Sequence, residues 1–215
     1  MKKIIAMAVA AICLVSASFA LDLEFGGRAI LGRNLDGGTF KENMAEAKQD
    51  QTFDLGFGAY ANFALFGGLG IQAEANYVKS SIDFNTLDDN GKRKKVEYEM
   101  HTLDLAPMVW LNLDLWKLTI GAGIGPDFEI PLASLGDIKG AKKQDFQVGL
   151  ITGADVKFYF TDHLGLVLSG RYVIDWEKKD VEIKVGDMGT GASYPTYAFS
   201  RKTVYGGLGL EYKLF

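Results

Sequence analysis

Residues 53–65 read FDLGFGAYANFAL. Phe53, Leu55, Phe57, Ala59, Ala61, Phe63 and Leu65 fall on one side of an extended chain, and Asp54, Gly56, Gly58, Tyr60 and Asn62 fall on the other. Successive side chains of a strand point to opposite faces, so a period of two is the strand signature. An amphipathic helix needs apolar residues at spacings of three and four, which this stretch lacks. It therefore reads as a strand with one apolar and one polar face.

Seven further segments repeat the pattern. Leu21, Leu23, Phe25, Gly27, Ala29 and Leu31 oppose Asp22, Glu24, Gly26, Arg28 and Gly32; Leu69, Ile71, Ala73, Ala75 and Tyr77 oppose Gly70, Gln72, Glu74 and Asn76. Leu103, Leu105, Pro107, Val109 and Leu111 oppose Thr102, Asp104 and Ala106, and Trp116, Leu118, Ile120, Ala122 and Ile124 oppose Lys117, Thr119 and three glycines. The last three set Val148, Leu150, Ala154, Val156, Phe158 and Phe160 against Gly149, Asp155 and Lys157; Leu164, Leu166, Leu168, Tyr172, Ile174 and Trp176 against Ser169, Arg171 and Asp175; and Val204, Leu208, Leu210, Tyr212 and Leu214 against Gly207, Gly209, Glu211 and Lys213. Each runs for about ten residues, enough to cross a bilayer as a tilted strand.

The connections are sorted by length. Those at 66–68, 112–114 and 161–163 are tight, whereas those at about 35–52, 81–95, 127–145 and 177–198 are long and polar. A single-chain bacterial barrel with both termini in the periplasm has short turns inside and long loops outside. Aromatics collect near both ends: Phe63, Phe66, Trp110, Trp116, Phe158 and Phe160 by the short turns, and Phe53, Tyr77, Tyr172 and Trp176 by the long loops. Aromatic belts of this kind mark the two lipid interfaces. The fold expected is all-β: a closed, up-and-down, antiparallel transmembrane barrel of eight strands.

The chain begins MKKIIAMAVAAICLVSASFA. Lys2 and Lys3, a short apolar run, and small residues at Ser18 and Ala20 form the three regions of an export signal, too short in its apolar part for a spanning helix. Cleavage is expected between Ala20 and Leu21, giving a signal over 1–20 and one domain over 21–215. Cys13, the single cysteine, lies in that signal behind Ile12, where a lipidated cysteine would follow a small residue, so it reads as apolar filler. Removing Lys2 and Lys3 moves the formal charge from -4 to -6, and no basic stripe invites nucleic acid.

Closure of eight strands leaves an interior just wide enough for side chains. The inward set comprises Glu24, Arg28, Glu74, Asp104, Lys117, Asp155, Lys157, Arg171, Asp175, Glu211 and Lys213, nearly balanced in sign. Buried charge is costly unless paired, so the set reads as an ion-pair network plugging the lumen. The competing reading is a polar pathway or cavity. No cofactor or metal is expected. Gly121–Gly125 (GAGIG) departs from the spacing of a nucleotide loop and no helix follows it. His163 falls in a turn, and His101, beside Glu97 and Glu99, reads as a solvated rim residue rather than a base for Ser80, Ser81 or Thr102. Asp88-Asp89 and Lys92–Lys95 flank Asn90-Gly91 as an exposed turn.

The stretches TLDLAPMVWLNL, LTIGAGIGPDF, DFQVGLITGADVKFYF and LGLVLSGRYVIDW resemble the small bacterial outer-membrane β-barrel proteins, the OmpA/OmpX-like group or outer membrane protein beta-barrel domain. The resemblance covers essentially the whole mature chain. It implies residence in the bacterial outer membrane, with membrane lipids, a lipopolysaccharide-type glycolipid and the insertion machinery as partners, and a host or envelope surface ligand as a further one. Many members end in an aromatic residue on the lipid face. Here alternation places Tyr212 and Leu214 outward and Phe215 inward, so either a one-residue bulge resets the register near the end, the favoured reading, or this terminus departs from the usual pattern. Four functions follow: a non-enzymatic structural or surface-interaction barrel, which leads; a narrow pore or lateral conduit for small molecules, hydrophobic ones included; a lipid-modifying enzyme; and a lipocalin-like periplasmic carrier with its apolar face inward.

Overall fold

A computed structural model describes residues 22–35, 39–40, 49–51, 53–66, 68–87, 93–136, 146–176, 179–182, 196–199 and 201–214. The export signal with Cys13, the turn at 88–92 and Phe215 lie outside the described residues. There are twelve strands: β1 (Asp22–Asn34), β2 (Thr39–Phe40), β3 (Gln49–Gln51), β4 (Asp54–Phe66), β5 (Leu69–Leu87), β6 (Arg93–Leu115), β7 (Leu118–Gly136), β8 (Gln147–Tyr159), β9 (Leu164–Asp175), β10 (Lys179–Glu182), β11 (Thr196–Phe199) and β12 (Lys202–Lys213). Among the described residues there is no helix.

Eight of these strands form a closed antiparallel barrel. The order around the wall is β1, β4, β5, β6, β7, β8, β9, β12, and β12 pairs back to β1. Closure leaves no unpaired sheet edge, which is what a strand-built protein needs where no water can satisfy its backbone. β3 extends the pairing at the outer end of β5, and β2, β10 and β11 form a separate three-stranded sheet.

Side chains alternate as the sequence dictates. Along β9 and β12 buried and exposed residues alternate, with only Ile174, Gly209 and Lys213 intermediate. Phe57, Ile71, Val109, Leu111, Leu168 and Leu208 all point outward and are exposed. An apolar exterior around a polar interior is the inverse of a water-soluble carrier, and it excludes the lipocalin-like arrangement.

Three expectations are corrected. The second short turn is Trp116-Lys117, not residues 112–114, because β6 continues to Leu115. Trp116 adopts a φ of 58°, the left-handed region, to make this tight reversal. Secondly, β5, β6 and β7 run well into segments that read as loops, to Leu87, from Arg93 and to Gly136. This wall therefore rises beyond the length that a bilayer needs. Thirdly, β12 pairs with β1 in one unbroken register to Lys213, so there is no bulge within it, and Leu214 N still donates to Leu23 O at 2.8 Å.

Candidate functional site

The barrel interior gathers the charged residues into layers. Nearest the short turns, Lys157 is 0% exposed and its Nζ lies 2.5 Å from Glu24 Oε2 and 2.7 Å from Glu211 Oε2. Tyr60 donates to Glu211 at 2.7 Å and Asn62 to Glu24 at 3.1 Å. The Tyr159 hydroxyl donates to Glu211 and lies 3.1 Å from Glu24 Oε1. Two carboxylates thus share one ammonium and three neutral donors.

A second layer sits above. Arg28 pairs with Glu74 and also donates to Asn76 at 3.1 Å. Arg171 reaches across the lumen from β9 to Glu74 on β5, with Nη2 at 2.6 Å and Nε at 2.9 Å, and turns Nη1 to Asp155 at 2.6 Å. Gln72 adds a donor to Glu74 at 2.7 Å. The guanidinium of Arg171 lies 5.0 Å from the centre of the Trp110 ring, close enough for a cation–π contact. Trp110 is fully buried, whereas its place in the sequence groups it with the lipid-facing aromatics. Gly121 and Gly123 on the adjacent strand make room for it: a Cβ at either position would run into the indole.

Above this layer the interior turns apolar. Ile30, Val78, Ala106, Met108, Ile151, Val173 and Tyr205 cluster there with Trp110. A cavity of about 10 Å³, room for roughly one water molecule, remains between this girdle and the Arg28–Arg171 layer.

The outermost layer centres on Arg201. Its Nη1 lies 2.9 Å from Asp104 and 3.1 Å from Glu129, its Nε lies 3.2 Å from Asp175, and its Nη2 pairs with Asp127. Asp54 is buried on the same inner face.

Of the eleven residues expected on the inner face, nine are buried and held in these ion pairs, namely Glu24, Arg28, Glu74, Asp104, Asp155, Lys157, Arg171, Asp175 and Glu211, while Lys213 is only half-buried at the end of β12. Lys117 is exposed in the two-residue turn, with its Nζ 5.2 Å from the centre of the Trp116 ring. The near balance of charge also needs correction. The described buried residues include nine carboxylates and four cations, and four of those carboxylates pair with Arg201 alone. Asp127 and Glu129 fall in a segment that reads as a long connection, and Arg201 falls between the last long connection and the eighth alternating segment. Extending the alternation of β12 backwards from Val204 would have turned Arg201 inward.

At the outer rim, the Tyr77 hydroxyl and His101 Nδ1 are 2.5 Å apart, and His101 Nε2 is 3.8 Å from Glu99. Lys79 pairs with Glu99 at 2.5 Å, and this hydrogen bond holds the Glu99 carboxyl below its ordinary range. The His101 ring thus lies against a phenol and a carboxylate. His163 is exposed in its turn, its Nδ1 2.9 Å from the Lys213 carbonyl oxygen. Among the described residues no group of three or more His, Cys, Asp or Glu is placed to hold a metal ion.

Residues 7–195 match the family model described as outer membrane protein beta-barrel domain. The chain belongs to this family. Its members are proteins of the bacterial outer membrane, and the barrel described above, with its apolar exterior, is the form in which this outer membrane protein beta-barrel domain sits among lipids. The outer membrane protein OprG from Pseudomonas aeruginosa has a similar fold, with a TM-score of 0.74 at 12% identity over 90% of this chain and 95% of that one. A major outer membrane protein from Thermus thermophilus aligns over 89% of this chain and 99% of that one at 12% identity, with a TM-score of 0.48. The Escherichia coli outer membrane protein W aligns over 89% and 97% at 13% identity, with a TM-score of 0.46. No curated protein matches the sequence.

Proposed function

We propose that this outer-membrane barrel is plugged against axial ion flow and serves a structural or surface-interaction role through its long extracellular connections. The observation that carries the reading is the fully buried Lys157 held between Glu24 and Glu211, directly beneath the Arg28–Glu74–Arg171–Asp155 layer. An ion moving along the axis would have to part both layers. Breaking a buried pair costs about 3–5 kcal/mol, because it leaves an uncompensated charge. The cavity beside the Arg28–Arg171 layer has room for roughly one water, too little for a file of ions at that level. The orientation adopted puts the short turns in the periplasm and the long connections outside. Residues 1–20 are read as the export signal, and amino-terminal sequencing of the mature protein should begin at Leu21. Reconstitution in planar bilayers tests the plug: no reproducible steps of porin size are expected, and their appearance would overturn it.

A second reading is favoured by one observation, a break in the wall. Pairing between β6 and β7 stops after Leu105↔Phe128 and resumes, in the same register, at Val109↔Ile124. That register sets Pro107 opposite Pro126, and proline has no N–H to donate. The strands stay close, since Gly125 lies against the Pro107 carbonyl. Ala106 and Met108, which flank Pro107, belong to the apolar girdle. An apolar girdle beside an unzipped stretch of wall suits a conduit through which a small apolar molecule leaves sideways into the membrane. Uptake of an apolar fluorescent probe by cells, compared between the wild type and a Pro107→Ala/Pro126→Ala variant, decides it; equal uptake removes the conduit.

A further inference from the structure

The rim at the end of the long connections is built in two unlike halves. On one side β5 and β6 stay paired without a break out to Leu87↔Arg93, and β7 accompanies β6 to Gly136. On the other side β9, β12 and β1 end, and β10, β11 and β2 follow as a separate sheet. The strand order is the same across this break: β10 follows β9, β2 follows β1, and β11, which leads into β12, is the middle strand as β12 is below.

The two seams cross the break differently. Tyr197↔Phe40 and Ala198↔Thr39 keep the register of Asn34↔Thr203, so β2 and β11 continue the β1–β12 ladder. Beside them, four residues separate Ile174 from Lys179 while two separate Phe199 from Lys202, so the β10–β11 pairing is offset by two from that of β9 and β12. Extra residues on one strand interrupt the ladder and bend the sheet there, as a bulge does.

Arg201 stands at this break, 7% exposed, and makes two kinds of tie. Asp175, on β9, belongs to the segmented half of the rim. Asp104 on β6, and Asp127 and Glu129 on β7, belong to the continuous half. Three strands separate β12 from β6 in either direction around the wall, so the Arg201–Asp104 pair spans the full width of the lumen. Tyr205, further down β12, and Val173, the inward neighbour of Asp175 on β9, belong to the apolar girdle beneath.

We propose that Arg201 is the latch of a hinged flap. It holds the segmented half of the rim against the continuous half, and the sheet of β10, β11 and β2 swings outward when the cross-lumen pairs part, uncovering the apolar girdle. A guanidinium suits this task because its five N–H groups in a rigid fork serve partners on several strands at once. The ties are charge-assisted, and their burial strengthens them. Neither the plug nor the lateral break needs this latch, since both lie deeper in the lumen.

Thiol accessibility tests it. Cys13 is the single cysteine of the chain, so a Cys13→Ala background leaves an introduced cysteine as the sole target. Ile151→Cys puts that target in the girdle, at a position 2% exposed, on β8, which carries no latch residue. In the folded barrel in detergent, a charged methanethiosulfonate should modify it slowly. Asp104→Asn/Asp127→Asn/Glu129→Gln cuts the cross-lumen ties and leaves Arg201 with Asp175, and the rate should rise roughly 100-fold, as expected when several hydrogen bonds to a charged group are lost. Asp175→Asn cuts only the tie within the segmented half and should leave the rate near that of the wild type. Asn62→Cys, in the Glu24 layer, should stay protected in every variant. Nitroxides on Ala198→Cys in β11 and Ala133→Cys in β7 should move apart in the triple variant, read by pulsed dipolar spectroscopy. Fast modification in the wild type, equal rates in wild type and triple variant, an Asp175→Asn rate as high as that of the triple variant, or modification of Asn62→Cys alongside would each overturn the latch. An unchanged nitroxide distance would overturn the flap. Should the triple variant not give the heat-modifiable band of a folded barrel, Asp104→Asn alone decides, with an expected rise of about tenfold.

Discussion

Replacing Lys157 with methionine removes a charge while keeping most of the length and volume of the side chain, so it tests the innermost ion layer with little change in packing. In the wild type the ammonium is fully buried and lies 2.5 Å and 2.7 Å from two carboxylates. Without it, Glu24 and Glu211 are left facing each other inside the wall. Removing one partner of a buried pair costs about 3–5 kcal/mol. Asn62, Tyr60 and Tyr159 still donate to the two carboxylates, which puts the expected loss at the low end, about 3 kcal/mol, or more than a 100-fold fall in the folded-to-unfolded ratio. Lys157→Met/Glu24→Gln/Glu211→Gln carries no buried charge in this layer and should return to within about 1 kcal/mol of the wild type. The assay is urea unfolding in phospholipid vesicles, followed by the compact band on unheated gels. A loss below about 1 kcal/mol for the single variant, or a triple variant as unstable as the single, would refute the reasoning.

Other outcomes follow from the same geometry. Any small conductance that survives in bilayers should favour cations, because four buried carboxylates surround the single Arg201 at the outer mouth; a reversal potential in a salt gradient reads the sign, and anion selectivity would contradict the layer. Gly123→Val should destabilise the barrel by about 1–3 kcal/mol through overpacking, since its side chain would enter the space held by the Trp110 ring; a shifted tryptophan emission should accompany the loss. Pro107→Ala/Pro126→Ala supplies two amide donors to the interrupted ladder, and a gain of about 0.5–1.5 kcal/mol per bond formed is expected in the same urea assay.

The barrel was legible because the medium outside is apolar everywhere. Leu, Phe and Val recur at every second position along the outer face, and the short turns and long connections sort themselves to opposite ends. The interior was legible only where it is polar. Val78, Met108, Trp110, Ile151 and Val173 point inward, and a scale that equates apolar with outward assigns such residues to lipid or to neither side. The turn at Trp116-Lys117 escaped for a related reason: a tryptophan at a φ of 58° is not a residue that turn chemistry announces. Beyond the lipid band the outer face no longer has to be apolar, so the alternation fades. That is why Asp127 and Glu129 read as loop and Arg201 falls outside every alternating segment, although together they form the core of the outermost layer.

The interior ion pairs join residues distant in the chain. Arg171 and Glu74 are 97 positions apart, Lys157 and Glu24 are 133 apart, and Tyr60 and Glu211 are 151 apart. β5 and β9 are not neighbours in the wall, so the Arg171–Glu74 bridge ties one side of the cylinder to the other. Lys157 on β8 reaches both the first strand and the last. None of these bonds can be complete in a partly wound sheet, and each half-made layer holds a charge without its counterpart. The network therefore works as a seal on assembly: it penalises every incomplete cylinder and rewards only the circle in which the last strand has met the first.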